Sequence, residues 1–160
     1  MPDVVANSTP VIPLAKIGRF DLLRRLYGVV AIPRAVYGEV TAKEDAAAQA
    51  VASSAEWLLV EDAPEPDAAS LLRARLHVGE VETIMLARRI GATLVIIDDN
   101  AAKKTARYLG LPVTGTLGVI VAAKRAGLLD SARDAEADLQ GIGFYASDAV
   151  VDMALAAAGE

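Results

Sequence analysis

The sequence predicts an α/β fold in which helices cover both faces of a mainly parallel sheet. Short apolar segments typical of buried strands alternate along the chain with longer segments of helical periodicity. Residues 94–97 form a run of four apolar residues without polar alternation, as expected for a strand buried on both faces. Because parallel strands need crossover connections, this alternation predicts right-handed βαβ units. The 160 residues are expected to form one domain, 1–160.

The N-terminal half predicts three strands that alternate with helices. The strands are expected at 4–6, 29–32 and 57–60, and the helices after Asn7, from Pro33 and over 45–55. Ser8, Thr9 and Pro10 are typical of a helix start, and aliphatic residues recur at helical spacing from Leu14 to Leu26. We therefore expect a single first helix that ends before Gly28.

The C-terminal half continues this alternation. Helices are expected at 67–76 and 80–90, followed by the strand 94–97, a helix at 100–109 and a short strand at 112–114. A further helix is expected from about Leu117 to Gly127, and the remaining residues are predicted to be mostly helical. In a parallel sheet of this kind, binding sites form beyond the carboxyl ends of the strands.

The composition limits the possible chemistry and location. The chain has no cysteine and a single histidine, which excludes disulfides, zinc–thiolate sites and multi-histidine metal sites. Any bound metal must therefore be held by oxygen atoms. No apolar run approaches the roughly 18 residues typical of a membrane span, and the N-terminus lacks the pattern of a secretory signal. We expect a soluble cytoplasmic protein that does not interact with membranes.

The charge distribution is compatible with a nucleic-acid partner despite a net charge of −5. Residues 1–43 contain six basic and three acidic residues, and residues 71–125 contain nine and four. The acidic excess lies in 44–70 and 126–160, outside the segments that contain the candidate site. Basic residues on helices can contact phosphates, although solvated helix faces explain about half of them equally well. With two Phe and one Trp, base stacking on aromatic side chains is expected to be minor.

Polar side chains cluster where strands end and neighbouring helices begin. Asn7 follows the first strand, Asp98 and Asp99 follow the strand 94–97, and Glu39 lies in the helix after the second strand. Glu80 begins a helix and shares its apolar, inward-facing side, whereas Glu82 points elsewhere.

Gathered carboxylates repel one another unless a cation lies among them, and Mg²⁺ or Mn²⁺ prefers such oxygen ligands. A site of this kind can bind a phosphodiester and activate water for in-line attack. The alternative for Asp98, Asp99 and Glu80 is that they cap helices or interact with helix dipoles, and Glu39 can be an ordinary solvated residue.

Four blocks of the sequence, in this order, are similar to a known family. They are VVANSTPVIPLAKIGRFDLL (4–23), AIPRAVYGEV (31–40), HVGEVETIMLARRIGATLVIIDDN (77–100) and LGLPVTGTLGVIVAAKRAGLL (109–129). The chain resembles the PIN-domain family, and within it the VapC-like branch of predicted nucleic-acid-binding proteins. The resemblance implies a three-layer α/β/α sandwich with a central, mainly parallel sheet.

The resemblance also implies an activity and a set of site residues. Active members of the family are Mg²⁺- or Mn²⁺-dependent ribonucleases, often the toxin of a toxin–antitoxin pair, and relatives are commonly homodimers. By position, Glu39, Glu80 and Asp98 match the acidic motif, and Asp99 looks like an auxiliary ligand or a water-orienting group. Thr116 lies where a hydroxyl often completes the pocket. Cleavage would leave 5′-phosphate and 3′-hydroxyl ends.

One position departs from the family pattern, and it leaves alternatives open. The usual first acid corresponds to Asn7, whose carbonyl can bind a hard cation but removes one negative charge. The leading hypothesis is a metal-dependent endoribonuclease with RNA as substrate, an antitoxin protein as partner, and Lys16 and Lys103 as phosphate-contacting residues. The second is a PIN-fold binding module with little or no turnover. A phosphatase that uses Asp98 as nucleophile is a third possibility, disfavoured because that chemistry normally begins from an Asp after the first strand.

Overall fold

The computed structural model describes residues 2–64 and 75–160, and its centre is a parallel sheet. The five strands in this part of the chain are β1 (Val4–Ala6), β2 (Val30–Pro33), β3 (Leu58–Glu61), β4 (Leu94–Ile96) and β5 (Val113–Thr114). They lie in the order β3-β2-β1-β4-β5, and every pair is parallel. In the central pair, Val5 is in register with Val95 and Ala6 with Ile96. The predicted parallel α/β architecture is confirmed.

Helices flank the sheet on both faces, as the three-layer prediction requires. In the described residues they are α1 (Ser8–Lys16), α2 (Asp21–Tyr27), α3 (Arg34–Thr41), α4 (Ala46–Ala52), α5 (Val78–Ile90), α6 (Asn100–Tyr108), α7 (Thr116–Arg125), α8 (Ala132–Gly141) and α9 (Asp148–Ala157). Most lie within a few residues of their predicted positions. The helix predicted at 67–76 falls mostly outside the described residues.

The single first helix predicted from the apolar periodicity is wrong, because the structure has two. α1 ends at Lys16, and α2 begins at Asp21. Gly18 lies between them with a φ of +73°, a left-handed conformation that interrupts a right-handed helix and favours glycine. The apolar spacing continued across the break because both helices pack on the same core, which contains Leu14, Leu22 and Leu23.

The strands separate two apolar cores, one on each face of the sheet. Val5, Ala31 and Val95 pack with α5 and α6, whereas Ala6 and Ile96 belong to the core formed with most of the other helices. Successive side chains of a strand point to opposite faces, so these neighbours separate between the two cores. Burial on both faces explains why the strands have almost no polar residues.

β1 is the central strand, and the chain adds strands first on one side of it and then on the other. β2 and β3 extend the sheet on one side of β1, and β4 and β5 extend it on the other. The crevice beyond the carboxyl ends of β1 and β4 is therefore the topological switch point, where α/β sheets bind ligands. Asn7 follows β1, and Ile97 and Asp98 follow β4, so these residues border the crevice. No helix in residues 2–64 and 75–160 is long and apolar enough to cross a membrane.

Candidate active site

Asn7 lies at the centre of the switch point and is almost completely buried, with 1% of its surface exposed. Its backbone N–H donates to the carbonyl oxygen of Ile96 at 2.9 Å and continues the β1–β4 pairing by one residue. Its side-chain amide donates to Thr9 Oγ1, and its carbonyl oxygen accepts from Thr83 Oγ1, both at 3.4 Å. The amide is therefore held on both sides by hydroxyl groups.

Glu39 reaches this region from the last turn of α3. One of its carboxylate oxygens accepts a hydrogen bond from Ser8 Oγ at 2.8 Å, at the beginning of α1. The other oxygen lies against Gly79, so closely that a Cβ at Gly79 would overlap it. The same Cβ would lie 3.5 Å from Asn7 Oδ1. Gly79 thus leaves the space in which the Glu39 carboxylate and the Asn7 carbonyl oxygen approach each other.

Glu80 is buried, with 7% of its surface exposed, as its position on the inward side of α5 predicts. Its carboxylate accepts a hydrogen bond from the backbone N–H of His77 at 2.9 Å, so it stabilises the first turn of its own helix. Glu82, which was expected to point elsewhere, faces the beginning of α3 and accepts from the Ala35 N–H at 3.4 Å. The carboxylate of Glu80 also lines a cleft with Asn7 and Glu39.

Asp98 binds the N-terminus of α7, 18 residues further along the chain. Its carboxylate accepts from the Thr116 backbone N–H at 2.8 Å and from the Thr116 hydroxyl at 2.6 Å. Gly115 makes this approach possible, because a Cβ there would lie 2.6 Å from the Asp98 carboxylate. The contact brings Thr116 to the acid that ends β4, so these two predicted site residues do lie together.

Asp99 has the helix-capping role that was considered as its alternative. Its carboxylate accepts from the Ala102 backbone N–H at 2.8 Å, and its backbone conformation is extended, as is typical of an N-cap residue. Its side chain is exposed and lines none of the clefts described below. The geometry therefore gives Asp99 a structural function at the beginning of α6.

Five of the predicted site residues, Asn7, Lys16, Glu39, Glu80 and Asp98, line two adjoining clefts. The first, of about 400 Å³, is called the acidic cleft and is lined by Asn7, Ser8, Thr9, Glu39, His77, Val78 and Glu80. The second, of about 350 Å³, is called the lysine cleft and is lined by Thr9, Ile12, Pro13, Lys16, Asp98, Ile142, Gly143 and Phe144. Thr9 belongs to both, and its hydroxyl accepts hydrogen bonds from the Asn7 amide and from the Asp98 backbone N–H.

The two basic residues proposed to contact substrate both lie beside Asp98. Lys16 lines the lysine cleft together with Asp98. The Lys103 ammonium also lies close to this acid, because a Cβ at Gly115 would be 3.0 Å from its nitrogen and 2.6 Å from the Asp98 carboxylate. Positive side chains therefore flank this acid.

The donor atoms of the acidic cleft suit a hard cation, but they are not arranged as a closed metal site. Two carboxylates, an amide oxygen and two hydroxyls supply the oxygen ligands that Mg²⁺ and Mn²⁺ prefer. Within the described ranges, however, no three Asp, Glu, His or Cys side chains lie close enough to share an ion. The carboxylates of Glu39, Glu80 and Asp98 instead accept hydrogen bonds from neutral donors.

Comparison with known proteins gives this arrangement a family. A family model described as a PIN domain matches residues 3–160. The chain belongs to the PIN-domain family. PIN domains are generally nucleases and typically bind divalent metals. No curated protein matches the chain significantly.

The PIN assignment agrees with the position of the acids around the switch point, but some contributors to the site were not predicted. Gly79 and Gly115 each leave space for a carboxylate at the N-terminus of a helix. Thr9 joins the two clefts through its hydroxyl. The glycines within the HVGE and VTGT segments, each just ahead of or at a helix start, are the only sign of these approaches in the sequence.

Proposed function

We propose that this PIN domain is an endoribonuclease that requires Mg²⁺ or Mn²⁺ and hydrolyses RNA phosphodiesters. The observation that supports this most directly is the meeting of Asn7, Glu39 and Glu80 in one cleft at the switch point of the sheet, with Asp98 in the adjoining cleft. Structural acids are usually scattered over a surface. Here four segments that are distant in sequence supply polar side chains to one crevice.

Glu39, Glu80 and Asn7 would hold the cation, and Asp98 would join them from across Thr9. A divalent cation bound there supplies positive charge for the phosphate and lowers the pKa of water enough to generate a nucleophile. Gly79 keeps the Glu39 carboxylate close to the Asn7 carbonyl oxygen, and Ser8 fixes its direction. Thr116 holds the Asp98 carboxylate through two hydrogen bonds. Lys16 and Lys103 lie where they can bind the phosphates that flank the scissile bond.

The carboxylates must release some of their present hydrogen bonds to share an ion. The Glu80 contact with the His77 N–H and the Glu39 contact with Ser8 are single bonds, each contributing on the order of 1 kcal/mol. Binding of a cation to several carboxylates can offset such a cost. The site would therefore be assembled by the ion and substrate rather than preformed.

The test is cleavage of mixed RNA by the purified chain with and without Mg²⁺ or Mn²⁺, beside Asp98→Asn. We expect metal-dependent cleavage by the wild type and a loss of about 100-fold or more in the variant. Asp138→Asn is the matched control, because Asp138 is exposed on α8 and lines neither cleft. Equal cleavage by the wild type and Asp98→Asn would attribute the activity to a contaminant or another site.

A second candidate function is a PIN-fold module that binds RNA or protein without turnover. It is favoured by Asn7, which removes one negative charge from the acidic cleft, and by the hydrogen bonds that the remaining carboxylates already accept from neutral donors. Titration calorimetry with Mn²⁺ separates the two functions. A dissociation constant in the micromolar range supports the nuclease, and millimolar or absent binding supports the module.

We further propose that the protein is the toxin of a toxin–antitoxin pair in the VapC-like branch, that it forms a homodimer and that it acts in the cytoplasm. What supports the pairing with an antitoxin is the resemblance of four sequence blocks to that branch. Induced expression, alone and together with the neighbouring reading frame, tests the pairing. Growth arrest that the neighbour relieves is the expected result, and unimpaired growth would contradict the toxin role.

A further inference from the structure

A third cleft, the largest described, shares Asp98 with the lysine cleft. We call it the C-terminal groove. It has a volume of about 680 Å³, and it lies between Lys103 and Arg107 of α6, the region of β5 and the start of α7, and Val150 and Met153 of α9. Asp98 lines both the groove and the lysine cleft. The groove is therefore continuous with the candidate active site.

Apart from Asp98, the charged residues that line the groove are basic. Lys103 and Arg107 are one helical turn apart on the same side of α6, separated by about 6 Å along the helix axis. Among the residues described, neither side chain forms an ion pair with an acid. No other charged residue lines the groove. Two basic side chains one turn apart beside a nuclease-type site are complementary to successive phosphates of a strand.

The opposite wall presents a large aromatic ring and apolar side chains to solvent. Tyr145, in the loop between α8 and α9, is 86% exposed, and Met153 is 73% exposed. Phe144, which precedes Tyr145 in the chain, lines the lysine cleft instead, so each of the two clefts that share Asp98 contains one aromatic residue of this loop. An exposed tyrosine facing two cations across a groove suits a nucleotide, with the base on the ring and the phosphate on the basic side.

We propose that the C-terminal groove binds the single-stranded flank of an RNA substrate, with Lys103 and Arg107 on its phosphates and Tyr145 stacked on a base next to the scissile bond. This inference rests on the proposed ribonuclease function and names the subsite that positions the substrate. It also revises the expectation that aromatic stacking is minor, which rested on the low content of Phe and Trp. The tyrosine is placed beside the site by the α8–α9 loop.

The test is the affinity of the full-length chain for a labelled 12-nucleotide single-stranded RNA, measured by fluorescence anisotropy in EDTA so that cleavage does not interfere. Tyr145→Ala is expected to weaken binding about 5- to 100-fold, the range for loss of one stacked base. Arg107→Ala is expected to reduce the slope of log affinity against log salt by about 0.7. Lys103 is not the test residue, because it lies close to Asp98 and its substitution would change both RNA binding and the candidate catalytic acid.

Matched controls exist for both substitutions. Tyr108 is 90% exposed on α6 but does not line the groove, and Arg133 is exposed on α8 away from all three clefts. Tyr108→Ala and Arg133→Ala should keep wild-type affinity and salt dependence. All four side chains are exposed, so each variant should fold like the wild type. Circular dichroism and the midpoints of urea unfolding check this.

The outcomes distinguish this inference from the proposed function. Weaker binding by Tyr145→Ala and Arg107→Ala supports the groove even if the wild type cleaves no RNA, in which case only the nuclease proposal fails. Metal-dependent cleavage with both variants binding like their controls overturns the groove and leaves the nuclease intact. The groove proposal also fails if both variants bind RNA like the wild type but differ from it in mass by light scattering, because the groove is then a contact with another protein chain.

Discussion

Substitution of Asn7 by aspartate tests whether the acidic cleft holds a cation, because it adds one negative charge to a side chain of nearly the same shape. Asn7 is 1% exposed, and its side chain contacts the hydroxyls of Thr9 and Thr83. The Thr9 hydroxyl accepts from the Asn7 amide and can instead donate to an aspartate carboxylate, whereas Thr83 already donates its single hydrogen to the Gly79 carbonyl oxygen at 2.7 Å. The aspartate therefore keeps one hydroxyl donor without a change in packing. What the substitution changes is therefore the charge of the cleft.

The size of the effect follows from burial and from the neighbouring acid. In the absence of metal, the new carboxylate would be buried close to that of Glu39, and the free energy of unfolding should fall by about 1–3 kcal/mol. A bound cation reverses this loss. With Mn²⁺ at 100 times its dissociation constant, binding to the folded state adds about 2.7 kcal/mol. Stability of Asn7→Asp should thus become strongly dependent on metal.

The assay is urea unfolding of the wild type and Asn7→Asp in EDTA and in Mn²⁺, together with titration calorimetry and RNA cleavage. Gln49→Glu is the control, because it makes the same change from amide to acid at an exposed position of α4. We expect Mn²⁺ to raise the free energy of unfolding more for Asn7→Asp than for the wild type or Gln49→Glu. Asn7→Asp should also bind Mn²⁺ more tightly and cleave RNA faster than the wild type. An equal loss of stability with and without Mn²⁺ would refute a cation site at this position.

Three further substitutions test contacts made by carboxylates, two at the candidate site and one at the N-terminus of α8. Gly79→Ala should force the Glu39 carboxylate to retreat by about 1 Å and reduce cleavage roughly 100-fold, while urea unfolding shows unchanged or slightly higher stability because alanine favours helix. Thr116→Val removes the hydroxyl that donates to Asp98, and we expect a loss of about 1–2 kcal/mol in urea unfolding together with slower cleavage. Glu160→Gln should flatten the decline of stability in acid. The N-terminus of α8 holds the pKa of Glu160 below its ordinary 4.5, so its contribution is present above that pH and is lost as pH falls.

The controls for these substitutions separate function from folding. Gly38→Ala makes the same change as Gly79→Ala on α3, where no atom lies within 4 Å of the added Cβ, so it should affect stability alone. Thr105→Val removes an exposed hydroxyl that donates to the carbonyl oxygen of Ala101 in α6, and cleavage should be unchanged. If Gly79→Ala and Gly38→Ala cleave RNA equally, the close approach of Glu39 to Gly79 has no catalytic consequence.

Most of the architecture could be predicted from the sequence because burial leaves a clear periodicity. A strand buried on both faces has few alternatives to a run such as Leu94–Ile97, and the structure assigns Leu94–Ile96 to β4. The break between α1 and α2 was missed for the same reason. Apolar periodicity reports which residues face the core, and it does not detect a turn at Gly18 that keeps both helices on that core.

The candidate site was predictable in position but not in its contacts. The carboxyl ends of parallel strands meet at one edge, so the residues after β1 and β4 had to be neighbours. The direction in which each carboxylate points depends instead on hydrogen-bond donors whose positions differ by only a few ångströms. Capping of the following helix was the alternative considered for both acids, yet Asp98 binds the N-terminus of α7 and only Asp99 caps α6. Spacing along the chain does not reveal a contact across 18 residues.

The contacts of the acids also explain how the edge of the sheet tolerates them before any cation binds. Asp98 meets the start of α7 and Glu80 the start of α5, where unpaired backbone N–H groups and the helix dipole favour negative charge. Such sites stabilise each carboxylate separately and hold it away from the others. A shared ion must draw at least one acid from its helix, and an uncharged Asn7 weakens the attraction that would do so. In the proposed metal-dependent nuclease, affinity for the ion would therefore be set by the competition between helix N-termini and the cation.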